Sequence, residues 1–318
     1  MSNEINKYKH DVNFSPAIPS GYIDIREVFG VIWQAKWPII AITAVFAIAS
    51  VVFSIKQPNV YTSEALLAPA SEDQGGGLGA LASQFGGLAS LAGVNLGGKG
   101  GSDKSELALE VLKSRKFTSD FIQRHNILPD LIAVSKWEQE NNKVIYNPKI
   151  YNEPQQLWLR EVDAPYKPEP SMQEAYKAFS KIITVSKDKL TGMVTISVDH
   201  VSPYVAHQWV TWLVQDINKV MKERDVAEAH RSTDFLNKQI ALTNVADIKA
   251  VLYKLIEEQA KTIMFAEVRD EYVFKTIDPA IVPEEKTNPK RAIICILGTL
   301  LGGMLAIMLV LFRYFLKK

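Results

Sequence analysis

Two uncharged apolar stretches, one near each end of the chain, constrain the fold more than any other feature of the sequence. The first covers residues 37–55 and the second residues 292–312. As helices they would be roughly 28 and 31 Å long, which is enough to cross the hydrocarbon core of a bilayer. We therefore predict two transmembrane helices that frame a large central segment, residues 56–291.

The first stretch has a second interpretation, a cleaved signal peptide, because the small residues at 47–50 resemble a cleavage site. A preceding tail of 36 residues and an apolar run that continues past that site argue against it. Lysine and arginine residues near the two stretches number five on the tail side and five on the loop side. The positive-inside rule therefore leaves the orientation open.

Residues 24–37, which precede the first stretch, carry apolar side chains at helical spacing, with Asp24 and Glu27 as a capping pair. Two interpretations fit equally well. The segment is either an amphipathic helix on the membrane surface or a simple extension of the membrane-spanning helix.

Composition and motifs argue against several functional classes. The formal net charge is +1, and no basic cluster with interleaved aromatic residues indicates nucleic-acid binding. The single cysteine, Cys295, rules out an intramolecular disulfide. The sequence contains no HExxH, no paired metal-ligand spacing and no GxSxG motif. We expect a protein that is not an enzyme and has no catalytic residue, cofactor or metal site.

The stretch GVNLGGKGGS at residues 93–102 resembles a phosphate-binding loop, with Gly93, Gly98 and Lys99 at the required spacing. Gly100 occupies the position of the hydroxyl residue that would bind magnesium, and the preceding run is rich in glycine and alanine rather than strand-like. Asp199, which ends a strand-like run, is the one candidate for a second metal ligand. We interpret the stretch as flexible glycine-rich chain.

The first half of the central segment mixes strands and helices. We predict a strand over 60–70, a helix over 104–125 and two strands within 180–200, which together form a small sheet backed by the helix. Between them, residues 134–170 hold five aromatic residues and five prolines. Such aromatic residues either bind sugars or form the core of a long loop, and the second role is the commoner.

The second half, from Pro203 to about Ile277, has apolar residues at three- and four-residue steps, which predicts long helices. One weak interruption lies at 243–247. Because the chain must return to the membrane, we expect an antiparallel helical pair that projects from a base next to the membrane. The apolar residues predicted to pack between protomers are Trp209, Trp212, Ile217, Val220, Leu252 and Leu255.

Three stretches resemble one protein family. They are residues 22–37 (YIDIREVFGVIWQAKW), 223–240 (ERDVAEAHRSTDFLNKQI) and 253–292, the last of which is the most specific. The chain resembles the Wzz-type chain-length determinants, which are bacterial polysaccharide co-polymerases. The resemblance implies cytoplasmic tails, a periplasmic body and a ring of identical protomers. Some relatives continue into a cytoplasmic tyrosine-kinase domain, and we expect none after Phe312, which lies six residues from the end of the sequence.

The family also has a proline- and glycine-rich motif around its second membrane helix. The matching residues here are Pro279, Pro283, Pro289, Lys290, Gly298 and Gly302. The match is loose, since Asn288 stands where a serine is usual. The resemblance implies that these residues couple the protein to its partner. Prolines stiffen the approach to the membrane, and the spacing of Gly298 and Gly302 is a GxxxG face for close helix packing.

The fold predicted from these observations is an α+β membrane protein with two transmembrane helices, a periplasmic α/β base and a long antiparallel helical protrusion. The predicted segments are an N-terminal cytoplasmic tail (1–36), the first span (37–55), the base (56–202), the protrusion (203–277), a proline-rich return (278–291), the second span (292–312) and a C-terminal tail (313–318).

The resemblance implies a non-enzymatic, ring-forming regulator of polysaccharide chain length in the bacterial inner membrane. It would act with a Wzy-type polymerase on a lipid-linked polysaccharide such as O-antigen. One alternative is a co-polymerase for capsule or exopolysaccharide that works with an outer-membrane exporter. A second is a periplasmic glycan-processing enzyme, which would need two facing carboxylates that the sequence gives no means of pairing.

Overall fold

The computed structural model describes residues 25–70 and 100–317. Two compact units are present. The end unit combines the two ends of the chain, up to Gln57 and from Lys290, and the central unit runs from Pro58 to Pro289. The predicted mixture of helices and sheet is confirmed.

The end unit consists of three helices: α1 (Ile25–Gln34), α2 (Lys36–Lys56) and α9 (Arg291–Lys317). Helices α2 and α9 are long and apolar enough to cross a membrane, and few of the residues in their apolar windows are buried. A buried core helix of a soluble domain would show the opposite pattern. Only Ala35 separates α1 from α2, and backbone hydrogen bonds continue across it. The Ala35 N–H donates to the Val31 carbonyl, and the Ile39 N–H donates to the Ala35 carbonyl, so α1 leads directly into α2.

Helices α2 and α9 pack antiparallel, and two glycines set their closest approach. A Cβ atom added at Gly298 would lie 2.5 Å from Cβ of Ser50, and one at Gly302 would lie 2.5 Å from Cβ of Phe46. Neither position has room for a side chain. Gly303 differs, because its nearest neighbour would be the Thr43 Oγ1 at 3.8 Å, an ordinary contact.

The core of the central unit is a four-stranded antiparallel sheet in the order β6-β7-β1-β8. Its strands are β1 (Tyr61–Pro69), β6 (Ile183–Lys187), β7 (Val194–His200) and β8 (Phe274–Asp278). Alternate residues of β7 are buried, and Ala65 of β1 lies opposite Ile196 of β7. The strands predicted within 60–70 and 180–200 are therefore confirmed, and so is their pairing.

Two further hairpins, each of two short strands, lie in the aromatic segment. They are β2 (Val134–Glu138) with β3 (Lys143–Tyr146) and β4 (Tyr151–Asn152) with β5 (Leu157–Trp158). Short helices α5 (Leu128–Ile132) and α6 (Met172–Phe179) flank them.

The helix predicted over 104–125 is wrong as a single element. The structure has α3 (Gly100–Lys113) and α4 (Arg115–Arg124), separated by Ser114. The Ser114 backbone is extended, and its hydroxyl accepts a hydrogen bond from the Phe117 N–H. Serine favours this N-cap role over a helix interior, since its side chain satisfies one of the free N–H groups of the new helix. The break lets both helices place apolar residues in the core.

The core joins the sheet to the first half of α7 (Pro203–Leu242) and to α3 and α4. The largest side chains within it are fully buried: Trp209, Phe121, Phe179, Phe274, Leu67, Leu112, Ile196, Leu213 and Ile217. Side chains of both the sheet and the helices form this apolar cluster.

Helices α7 and α8 (Ala246–Val268) form an antiparallel hairpin whose turn lies at the interruption predicted at 243–247. Beyond Asn218, α7 continues for about 24 residues, or roughly 35 Å, and α8 brings the chain back to the same level. Ala229 and Ala266 are fully buried between the helices. The helical prediction up to Ile277 is wrong at its end, because β8 pairs with β1 there and satisfies its backbone groups as a strand.

The buried amide of Asn218 fixes the base of this hairpin. Its Oδ1 accepts hydrogen bonds from the N–H groups of Val273 and Phe274, at 2.8 and 2.9 Å. Its Nδ2 donates to the carbonyls of Phe274 and Val214, both at 3.1 Å. The hydrogen-bonding capacity of the amide is thereby used in full.

We predict that Asn218→Ala destabilises the protein by about 3 kcal/mol, because buried backbone groups of residues 273–274 lose their partners. For a protein of this size, the unfolding midpoint should fall by about 4–5 °C. Thermal unfolding of the full-length protein in detergent, followed by circular dichroism, measures this. The control is Asn237→Ala on the exposed face of α7, which should change the midpoint little. Equal midpoints for the two variants would contradict the role of Asn218.

We further predict that Gly302→Ala weakens the packing of α2 on α9 by about 1–3 kcal/mol, because the new methyl group overlaps Phe46. The full-length protein should lose helicity at a lower mole fraction of SDS. Gly303→Ala is the matched control, with the same chemical change one residue away and room for the methyl group. The interface described above is refuted if both variants respond alike.

Candidate functional surfaces

The proline-rich return runs beside the first residues of β1. Asp278 pairs with Leu66, and the Ser63 hydroxyl donates to the Ile281 carbonyl at 2.7 Å. Further along, Val60 and Asn288 exchange backbone hydrogen bonds, from Val60 N–H at 2.9 Å and from Asn288 N–H at 3.2 Å. The entry and the exit of the central unit are thus fastened to each other.

Pro279 and Pro283 lie between these hydrogen-bonded residues, and Pro289 directly follows Asn288. Lys290 directly precedes α9, and its carbonyl accepts from the N–H groups of Ile293 and Ile294 in the first turn. Gly298 and Gly302 lie at the contact of α9 with α2. Three of the six predicted coupling residues thus belong to the central unit and three to the end unit, and their coupling role stays a prediction.

The predicted packing residues of α7 need a correction. Trp209 and Ile217 are 1% and 0% exposed inside their own protomer, so they are not available to a neighbour. Trp212 stacks on the His125 ring, with centroids 4.1 Å apart, and Val220 is half-buried against the same core. Their three- and four-residue spacing reports burial against the sheet rather than contact between protomers.

On α8, Leu252 is half-buried and Leu255 is exposed. Leu255 belongs to an apolar stripe on α8 that the contact with α7 does not cover. The stripe consists of Ile248, Val251, Leu255 and Phe265, each between 46% and 60% exposed. These residues recur at steps that place them on one side of the helix. Along the sequence, the residues of the stripe alternate with those that pack against α7. The two sets therefore form a single apolar pattern in the sequence.

The buried titratable groups are engaged in structural contacts. Asp216 accepts from Arg124 Nη1 at 2.8 Å and contacts His125 Nε2 at 3.0 Å, which ties α4 to α7. His200 donates from Nε2 to the Asp130 carbonyl and accepts the Ser202 N–H at Nδ1. Burial lowers the pKa of His200 below its ordinary value, so the ring is neutral at physiological pH.

Two other polar groups have equally specific partners. The Tyr146 hydroxyl donates to Asp130 at 2.6 Å, and burial raises the pKa of Tyr146 above its ordinary value. Asp199, the acid considered as a metal ligand, accepts from the Thr62 hydroxyl at 2.6 Å across β1 and β7. Among residues 25–70 and 100–317, no group of three histidine, cysteine or acidic side chains is placed to hold a metal. The phosphate-loop look-alike at 93–99 lies outside the described residues.

The aromatic segment divides into two kinds of residue. Tyr146, Tyr151 and Trp158 pack on one another, with centroids 4.9–5.5 Å apart, and Trp137 packs against Tyr61. These four form small cores, as the commoner interpretation predicted. Tyr166 does not belong to either cluster and is 56% exposed.

A partly buried arginine organises the loop that carries Tyr166. Arg160 donates from Nε to the Pro168 carbonyl at 2.8 Å and from Nη2 to the Lys167 carbonyl at 2.9 Å. It also pairs with both carboxylate oxygens of Glu174, at 2.8 and 3.3 Å. The Arg160 guanidinium holds the pKa of Glu174 below its usual value. The sequence analysis did not predict the ion pair of Arg160 and Glu174, because their spacing in the sequence does not indicate that they are in contact.

Comparison with known proteins gives two family matches. Residues 21–125 match the Wzz model, described as chain length determinant protein, and residues 241–315 match GNVR, a G-rich domain named for tyrosine-kinase-like proteins. The two matched ranges together cover more than half of the chain. A search of curated protein sequences found no match.

Solved structures that are similar to the chain include two polysaccharide co-polymerases. A full-length bacterial polysaccharide co-polymerase shares 14% identity at a TM-score of 0.37, covering 92% of this chain and 98% of that one. A fragment of WzzB, the polysaccharide co-polymerase from Salmonella Typhimurium, shares 13% identity at a TM-score of 0.27, covering 72% of this chain and 100% of that one. Superpositions this loose carry no structural conclusion, so the family rests on the two domain matches. The chain thus contains a chain-length-determinant domain at residues 21–125 and a GNVR domain at residues 241–315, and it is similar to the Wzz family.

Proposed function

We propose that this chain is a non-enzymatic, oligomeric regulator of polysaccharide chain length in the bacterial inner membrane. It acts with a Wzy-type polymerase on a lipid-linked surface polysaccharide such as O-antigen. The observation that carries the proposal is the Wzz match over residues 21–125. The geometry adds support at three points: the paired end helices, the exposed stripe of α8 and the structural use of the buried titratable groups.

The antiparallel pairing of α2 and α9 supports the proposed topology. If both helices cross the membrane, residues 58–289 lie on one side and both tails lie on the other. The proposal places the central unit in the periplasm and the tails in the cytoplasm, because a polymer destined for the cell surface is handled outside the cytoplasm.

The uncovered stripe of α8 supports oligomer formation. Four large apolar side chains on one helix face form a surface that water solvates poorly, and such surfaces commonly mark protein contacts. We propose that the stripe packs against the hairpin of a second copy, and that repetition of this contact closes a ring. The stripe replaces Trp209 and Ile217 in the predicted packing set.

The placement of the buried titratable groups supports a regulatory rather than a chemical role. His200, Asp216 and Tyr146 each hold neighbouring elements together through hydrogen bonds. A catalytic acid or base must reach its substrate, whereas these groups are enclosed by their partners. The proposed regulator therefore acts by binding and positioning.

One alternative has an observation of its own. The GNVR match at residues 241–315 is named for tyrosine-kinase-like proteins. Chains of that kind would couple polymerisation to export of capsule or exopolysaccharide, with an outer-membrane exporter and a separate kinase. Since the same architecture serves both roles, only the polymer that changes on deletion separates them.

Deletion of the gene tests the proposed function. We expect the bands of lipopolysaccharide on a gel to lose their preferred length while polymer is still made, because polymerisation continues without its length control. Loss of surface polymer with normal O-antigen banding would instead support the export alternative. Unchanged profiles of both lipopolysaccharide and secreted polysaccharide would contradict both functions.

Charged substitutions in the stripe test the proposed contact between protomers. We predict that the double variant Val251→Glu, Leu255→Glu weakens self-association on the order of a hundredfold, because it places carboxylates in an apolar contact. Light scattering of the full-length protein in mild detergent measures the mass of the assembly. The control is Tyr253→Glu, which adds a carboxylate at an exposed site nearly opposite the stripe. A monomeric wild type, or equal effects of the two variants, would contradict the ring.

A further inference from the structure

The loop of residues 160–170 is held in one shape by an unusual number of constraints. All three kinds of guanidinium nitrogen of Arg160 donate to the loop or to Glu174. Glu174 in turn accepts the Ser171 N–H at 3.1 Å, and Ser171 caps α6. Three prolines, at 165, 168 and 170, restrict the backbone further. Exposed loops that are fixed in this way are commonly binding loops, since preorganisation lowers the entropy cost of binding.

The fixed loop encloses an open pocket of about 350 Å³ beside the N-terminus of α6. That volume lies within the range of small-molecule binding sites, roughly 300–1,000 Å³. Tyr166, Lys167, Glu169 and Ser171 line it, together with Pro165 and Glu174.

The charges around the pocket balance one another. Lys167 and Glu169 have opposite signs, and the carboxylate of Glu174 is paired with Arg160. A phosphate or a cation would gain no net attraction here. The pocket nevertheless offers ammonium donors, carboxylate acceptors and a serine hydroxyl. It therefore suits a neutral ligand that has many hydroxyl groups.

The apolar part of the pocket is small and flat. Tyr166 lies outside the two aromatic clusters described above, and more than half of it is exposed at the pocket. A pyranose ring has one face of C–H groups and a rim of hydroxyls. The C–H face fits the tyrosine ring and Pro165, while the rim can reach Lys167, Glu169 and Ser171.

We propose that this pocket is a saccharide subsite, with Tyr166 as the platform for one pyranose unit and the surrounding polar side chains as partners for its hydroxyls. That the saccharide belongs to the polysaccharide whose length is regulated rests on the proposed function. Direct contact at this pocket gives the regulator a way to sense the growing chain.

Binding by the full-length protein in detergent tests the subsite. The probe is surface polysaccharide purified from the strain that encodes the protein, observed by saturation-transfer NMR and titrated calorimetrically. We expect Tyr166→Ala to weaken binding about tenfold or more. Tyr253→Ala, which removes an equally exposed tyrosine from α8, should bind as the wild type does. A wild type that does not bind the probe, or a Tyr166→Ala variant that binds normally, overturns the proposal.

The gel profile of the deletion strain, complemented with each variant, separates this proposal from the proposed function. If deletion abolishes the preferred length but Tyr166→Ala binds polysaccharide normally, the subsite is refuted and the function stands. If Tyr166→Ala alone loses binding while deletion leaves chain length unchanged, the subsite stands and the function is refuted.

Discussion

The return of the chain to its first strand is the constraint on which the rest of the central unit depends. After the α7–α8 hairpin, residues 273–274 meet the amide of Asn218, β8 pairs with β1, and Asn288 pairs with Val60. Each of these contacts joins residues that are far apart in sequence. The first contact fixes the base of the hairpin, and the second fixes the order of the sheet. The third holds together the points at which the chain enters and leaves the unit.

The buried polar groups described above join elements of the central unit. Asp216 ties α4 to α7, and His200 ties the end of β7 to α5. Thr62 and Asp199 link neighbouring strands. Each group has a partner with good geometry, as a buried polar group requires, because an unsatisfied one costs about 1–3 kcal/mol.

The surfaces left for partners have different chemistry on different elements. The stripe on α8 is apolar and periodic, which suits the helix of another copy. The pocket beside α6 is polar, charge-balanced and built around one tyrosine, which suits a saccharide. The proposed function would use both surfaces, the stripe to hold protomers together and the pocket to contact the polymer.

The sequence by itself determined the elements whose signal is local. Length and apolarity predicted α2 and α9, alternation predicted β1, β6 and β7, and the interruption at 243–247 predicted the hairpin turn. Which apolar face is buried, and against what, depended on tertiary contacts. Trp209 and Leu255 follow the same helical spacing, yet one fills the core and the other remains exposed.

Tertiary contacts also decided the formation of β8, the packing partners of Gly298 and Gly302, and the ion pair of Arg160. A helical period is a property of neighbouring residues, whereas a strand of five residues, a close helix approach or an ion pair exists only when a distant segment supplies the other half.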